Sequence, residues 1–157
     1  MSSTIINKLE NGMLTERMDL DSSEYNDFKL LIKSKSLNTN KSDRIKIGLL
    51  GLKFEMEDYL ESRSKSKEVG FFIKNFLKTI EVRQNEFAKY VEIRPSNLSK
   101  ILNGERRLSL EMALILEKLS NIDAELWLRI QYKNEINIVK KENRLVLNKF
   151  KLKQLIS

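Results

Sequence analysis

The stretch from Arg83 to Gly104, RQNEFAKYVEIRPSNLSKILNG, constrains the fold more than any other part of this chain. Phe87, Ala88 and Val91 recur at helical spacing, and Leu98, Ile101 and Leu102 do so again after a break. The break, Glu92 to Arg94, is too short for a wandering loop. It ends at Pro95, the only proline in the chain. Proline suits the first turn of a helix because the amide it lacks has no intrahelical partner there. Asn103-Gly104 then closes the second helix, as a glycine after the last turn does. Two helices on a three-residue turn, the second with polar side chains at its start, form the pattern of a helix-turn-helix.

Composition narrows what such a motif can serve. The chain has no cysteine and no histidine. That removes disulfides, thiol nucleophiles, Ser-His pairs and the usual soft metal ligands together. The expectation is a protein that is not an enzyme and takes no metal or cofactor. The formal charge is +7 and the sequence pI about 9.5. The charge is uneven. Residues 1–28 hold two Lys/Arg against six Asp/Glu, a net of −4, and residues 129–157 hold eight against two, a net of +6. A basic balance favours nucleic acid or an acidic partner, the alternative being ordinary solvated faces. No apolar run approaches the ~20 residues that span a bilayer. No N-terminal segment has the basic start and apolar middle of a signal peptide. These features predict a soluble, cytoplasmic protein with no membrane partner.

The chain divides into four stretches, and the fold class it predicts is all-α. Residues 1–42 read as an acidic arm and a short helix. Residues 1–24 are weakly patterned, as in a mobile arm. Tyr25 to Ile32 is the helix, with Phe28, Leu31 and Ile32 on one side, and Ser34 to Ser42 is a linker. Residues 43–67 are an amphipathic helix and a second linker. Ile45, Leu49, Leu52, Met56 and Tyr59 form one stripe, with Ser42 or Asp43 as the cap. Gly48 and Gly51 permit close approach of another backbone, either a partner's or the domain's own. Residues 68–136 make a five-helix domain with no credible strand. Phe72, Phe76, Leu77 and Ile80 mark its first helix. Met112, Ala113, Leu116 and Leu119, capped by Ser109, mark the fourth. Leu126, Trp127 and Ile130, capped by Asp123, mark the fifth. Trp127 reads as a core or interface plug rather than a base-stacking platform. Residues 137–157 are a basic tail of helix plus coil, with a hairpin at Glu142-Asn143 as the alternative. Its Leu145, Leu147, Phe150, Leu152 and Leu155 could dock on the domain or on a neighbouring subunit.

A helix-turn-helix places the start of its second helix in the major groove of double-stranded DNA. Ser96 and Asn97 can donate and accept at base edges, and Lys100 lies one turn on, within reach of guanine acceptors or phosphate. Gln84, at the start of the first helix, is placed for phosphate. Arg106 and Arg107 follow Gly104, where the DNA backbone passes. Arg83 and Arg94 sit at N-cap positions where Ser, Thr or Asp would be better by ~1 kcal/mol. Phosphate contact by these two arginines would give that loss a function.

Residues 70–136 resemble the XRE-type DNA-binding domains of phage repressors, and most of all HigA-type antitoxins, the plasmid maintenance system antidote proteins. The resemblance rests on Gln84, Phe87, Ala88, Val91 and Ile93, then on SNLSKILNGERRLSLEMALILEKL and IDAELWLRIQ. Leu98 to Leu128 is its specific part. KFEMEDYLES and KFKLKQLI are similar to a subgroup with extra sequence at both ends. The resemblance implies a homodimeric repressor of its own promoter that is also the antitoxin of a small basic RelE/HigB-like RNase toxin. By position it gives base reading to Ser96, Asn97 and Lys100, and phosphate contact to Gln84 and Asn103. The sequence departs from the family at Arg83 (usually threonine), Glu92 (usually the turn glycine) and Arg94 (usually serine). A stand-alone regulator, and a toxin-binding inhibitor that does not use its DNA face, are the alternatives.

Overall fold

The computed structural model describes residues 9–10, 13–14, 23–36, 40–63 and 65–157. A two-residue antiparallel ladder comes first, β1 (Leu9–Glu10) beside β2 (Met13–Leu14). Nine helices follow among the described residues: α1 (Ser23–Ser36), α2 (Lys41–Glu61), α3 (Val69–Thr79), α4 (Gln84–Tyr90), α5 (Pro95–Leu102), α6 (Leu110–Ser120), α7 (Ala124–Glu142), α8 (Arg144–Leu147) and α9 (Leu152–Leu155). The all-α reading holds, with α3 to α7 as the five helices expected of the central domain. The short ladder lies before the central domain, and within that domain the expectation of no strand holds among the described residues. The reading of residues 1–24 as a mobile arm falls mostly outside the described residues, as do the side chains of Leu31 and Ile32.

The first linker is shorter than its composition predicts. α1 runs to Ser36 and α2 begins at Lys41, so Ser42 and Asp43 lie inside the first turn and neither is the cap. Asn40 caps instead: its side-chain oxygen accepts from the Asp43 amide at 2.9 Å. Asp43 then adds a favourable negative charge to the positive end of the helix dipole.

Helix α2 buries two faces. Leu52, Met56 and Tyr59 join the core formed by α3 to α7. Phe54, two residues from Leu52 and Met56 and so on the far side, meets Phe28 and Tyr25 edge-on, at ring separations of 6.4 and 6.5 Å. The α2 stripe therefore packs on its own domain. Gly48 serves that contact, because a Cβ there would stand 2.6 Å from the Thr79 methyl, whereas one at Gly51 would meet nothing within 4 Å.

Phe76 is the hub of the core. Phe87 from α4 and Trp127 from α7 meet it edge-on at 6.0 and 6.3 Å, an arrangement aromatic quadrupoles favour. Trp127 is fully buried, a core plug as expected, and its indole N–H meets no acceptor among the described residues. The tightest helix contact lies at Gly70, where a Cβ would come 2.2 Å from the Leu102 carbonyl oxygen.

Polar groups fasten α2 and the segment after it to α7. The Tyr59 hydroxyl donates to Asn134 Oδ1 at 2.5 Å and accepts from the Lys67 amide at 3.1 Å. Asn134 Nδ2 returns a bond to the Lys67 carbonyl at 2.6 Å. The Lys133 ammonium donates to the carbonyls of Tyr59, Leu60 and Ser62, at 2.5, 3.2 and 2.9 Å. It thus satisfies the open C-terminal end of α2 with a charge of the sign that end prefers.

Two substitutions test these contacts. Gly70→Ala should cost about 2–3 kcal/mol in chemical denaturation, since the clash is with backbone and a neighbouring helix must move. Tyr59→Phe should cost about 1–2 kcal/mol, because it strands the Lys67 amide and weakens the satisfaction of a buried amide. An unchanged denaturation midpoint in either variant would contradict the packing described.

Candidate nucleic-acid interface

Three consecutive helices end by the same device. In each, the residue after the C-cap takes a left-handed conformation, the next amide reaches back five residues, and the intervening amide reaches back three, which is a Schellman motif. After α3 the left-handed residue is Glu81 (φ 58°), with the Val82 amide bonding the Leu77 carbonyl at 3.1 Å. After α4 it is Glu92 (φ 57°), with the Ile93 amide bonding the Ala88 carbonyl at 3.0 Å. After α5 it is Gly104 (φ 76°), with the Glu105 amide bonding the Lys100 carbonyl at 2.8 Å. Val82 and Ile93 pack against the core just past their turns, fixing the angle at which the next helix starts. The four-residue turn between α4 and α5 is thus set by backbone bonding and by Ile93, and glycine is absent from it.

Helix α5 buries Leu98, Ile101 and Leu102. At about 100° per residue, Ser96, Lys100 and Asn103 fall on the opposite side, and all three are exposed. Asn97 and Ser99 flank that strip and are half-buried. The base-reading candidates therefore share one outward surface, with Ser96 and Lys100 at its centre and Asn97 at one margin. Pro95 holds the first helical position as expected.

The backbone-contact candidates fall into three groups. Arg83 and Arg94 occupy the N-caps of α4 and α5, exposed and making no side-chain cap bond. Glu86 Oε2 accepts from the Arg83 amide at 3.2 Å, which is half of a capping box. The guanidinium has no acceptor with which to complete it. Gln84 is half-buried at the first turn of α4, and Arg106 is exposed at the exit of α5. Asn103 and Arg107 already have partners. Asn103 Oδ1 accepts from Lys74 Nζ at 3.3 Å. Arg107 makes a bidentate pair with Glu135, at 2.6 and 2.9 Å, and lies over the Tyr132 ring at 5.6 Å. The Glu135 hydrogen bonds hold the Arg107 guanidinium above its ordinary pKa, so it stays charged while committed to α7.

Lys74 is a residue that sequence reasoning missed. It lies on the outer side of α3, and only the Gly70–Leu102 approach brings that side to the end of α5. Gln131 is another. Its buried amide accepts from the Leu108 N–H at 2.6 Å and donates to the Leu108 carbonyl at 3.2 Å, holding the loop that carries Arg106 and Arg107. No local pattern marks either residue. Asp123 is the N-cap of α7 but its side chain makes no cap bond. Glu117 of α6 takes that role, accepting from the Ala124 amide at 2.7 Å. Among the described residues no helix is long and apolar enough to cross a membrane.

Comparison with known proteins agrees with this geometry. Residues 73–127 match the family model described as Helix-turn-helix. Over 71 residues the chain is 37% identical to virulence-associated protein A' of Dichelobacter nodosus, covering 45% of this chain and 62% of that protein. Over 62 residues it is 36% identical to YddM of Escherichia coli K12, an uncharacterized HTH-type transcriptional regulator, covering 40% of this chain and 66% of that one. The chain thus spans just under two thirds of either relative. No solved structure matches significantly. Residues 73–127 therefore match the helix-turn-helix family in sequence as well as in geometry.

Glu92 offers a test that separates fold from recognition. A side chain held left-handed costs about 1–2 kcal/mol, of which glycine's greater unfolded freedom returns part. Glu92→Gly should raise stability by about 0.5–1 kcal/mol in equilibrium denaturation. A loss of stability would mean that Glu92 makes a contact worth more than its strain.

Proposed function

We propose that this chain is a sequence-specific DNA-binding regulator that docks α5 in the major groove of its own promoter. The observation that supports this most directly is the outward strip of Ser96 and Lys100, bordered by Asn97, on a helix whose other side is fully packed. Serine, asparagine and lysine in that strip present donors and acceptors to base edges. Around it Gln84, Arg83, Arg94 and Arg106 supply phosphate partners, with Lys74 reaching the same edge beside Asn103. Arg107 orients the exit loop through Glu135 and contributes to phosphate binding only in part.

A finer reading makes the protein a homodimeric antitoxin that also neutralises a small basic RNase toxin. Its support is the resemblance of Leu98 to Leu128 to HigA-type antitoxins and the acidic residues before α2. Co-expression with the product of the adjacent reading frame tests it. Relief of that product's toxicity, and co-purification of the two, are expected. Absence of any such partner leaves the stand-alone regulator.

The DNA reading is tested by titrating the purified protein with its promoter fragment at several salt concentrations. Lys100→Ala and Ser96→Ala should weaken binding by about 1–3 kcal/mol on the promoter and far less on unrelated DNA. Arg106→Ala and Lys74→Ala should weaken both DNAs alike, each flattening the plot of log affinity against log salt by ~0.9. Equal losses on all sequences for Ser96 and Lys100 would remove base reading from α5. No binding at low salt would remove the DNA function altogether.

A further inference from the structure

Helix α7 leaves the core at Asn134, which is the last buried residue of the chain. Beyond it lie ten Leu, Ile, Val and Phe residues, and every one is at least 45% exposed. Together they present on the order of 1,000 Å² of apolar residue surface, spread over the end of α7, α8, α9 and the residues adjoining them. That is of the size each partner contributes to a stable interface, about 800 Å². The cations interleaved with them decide which partner fits. Residues 137–157 hold six Lys/Arg against one Glu, a net of +5.

The complement lies at the other end of the same helix. There a shallow cavity of about 280 Å³ between α2 and α7 is lined by Glu57, Glu61, Asp123 and Glu125 against Lys53 and Arg129, with two leucines. Four carboxylates against two cations leave it acidic. α7 is about 28 Å long at 1.5 Å per residue, so one molecule carries a basic apolar end and an acidic end that are far apart.

We propose that two copies of this chain pair antiparallel along α7, each laying its residues 136–156 across the acidic end of the other. A two-fold pair of this kind uses the same surface on both copies and closes. It covers the apolar residues and sets both charges against their opposites. A parallel arrangement would place one basic tail on the other.

The inference does not rest on the DNA reading, and its test contains no DNA. The full chain is examined by sedimentation equilibrium over a wide concentration range. The expected result is a dimer that weakens as salt rises. Val146→Asp, Phe150→Asp and Leu152→Asp combined should give a monomer with unchanged helical circular dichroism, because none of these side chains is buried in its own copy. Glu61→Lys with Glu125→Lys should weaken the dimer at least tenfold, and adding Lys151→Glu with Lys153→Glu should restore most of it. A zero-length carbodiimide cross-link in a mixture of isotopically light and heavy chains should join Lys151 or Lys153 of one copy to Glu61 or Glu125 of the other. A monomer at every concentration would overturn the proposal. So would a dimer indifferent to the triple Asp variant, or inter-copy links that avoid the acidic end. In any of these outcomes the apolar tail belongs to a different partner.

Discussion

At Gly70 the backbone of α3 passes so close to the end of α5 that a single methyl group would stand 2.2 Å from the Leu102 oxygen. The orientation of the candidate recognition helix follows from that approach. It fixes one end of α5 against α3, and Gln131 fixes the exit loop against α7. Between these anchors Leu98 and Ile101 have one side on which to pack. Ser96 and Lys100 are left facing outward because every other direction is occupied. A bulkier residue at position 70 would disturb the reading surface without touching any residue on it, and in this sense the surface is built from behind.

The helix ends show the same division between holding and reading. Glycine is the residue that enters a left-handed turn without strain, and only the turn after α5 has it. The turns after α3 and α4 hold Glu81 and Glu92 in that conformation, and each carries some cost. Glu81 has a visible use. Its carboxylate meets Lys41 at 3.0 Å, linking the start of α2 to the end of α3, and that hydrogen bond lowers its pKa. Both partners are well exposed, so the pair positions more than it stabilises. The sign is that of any carboxylate with a lowered pKa: its small contribution is complete above the ordinary carboxylate range and fades as pH falls through the lowered value. At Glu92 the adjoining Ile93 packs on the core, and that anchor keeps a short turn short despite its side chain.

Much of this was legible in the sequence, for reasons that can be named. The five central helices were visible because Phe72, Phe87, Leu98, Met112 and Trp127 each sit in a local apolar period with a turn signal nearby. Ser109 and Gly104 act through bonds to residues three to five positions away, so their roles could be read locally. Apart from the Asn40 cap, the misses lie outside the local turn. Lys74 reaches Asn103, Gln131 holds Leu108, and Glu117 caps α7 in place of Asp123. Arg107 illustrates the same limit. Its basic neighbourhood suggested phosphate, but Glu135, a full helix away, holds the guanidinium in a bidentate pair. The two possible uses of the α2 stripe are separated only by long-range bonds that fasten α2 to α7, from the Tyr59 hydroxyl to Asn134 and from Lys133 to the carbonyls of Tyr59, Leu60 and Ser62.

Helix α7 joins these features. Its first half is core, with Leu126, Trp127 and Ile130 facing inward. Its middle holds the segments on either side, Gln131 the recognition loop and Lys133 with Asn134 the end of α2. Its last two turns bury no side chain among the described residues. A helix confined to the domain would end near Asn134, where the last buried contact is made. Lys140 and Lys141 suit a helix C-terminus electrostatically, but that gain is worth only about 0.3–1 kcal/mol each and does not explain why Ile136, Ile138 and Val139 are carried into solvent with them. Apolar side chains in that position gain nothing in a lone molecule, since the hydrophobic contribution requires surface to leave water. The extension is therefore best accounted for by what it covers in an assembly. In the proposed pair, the acidic start and basic end of α7 favour an antiparallel over a parallel arrangement.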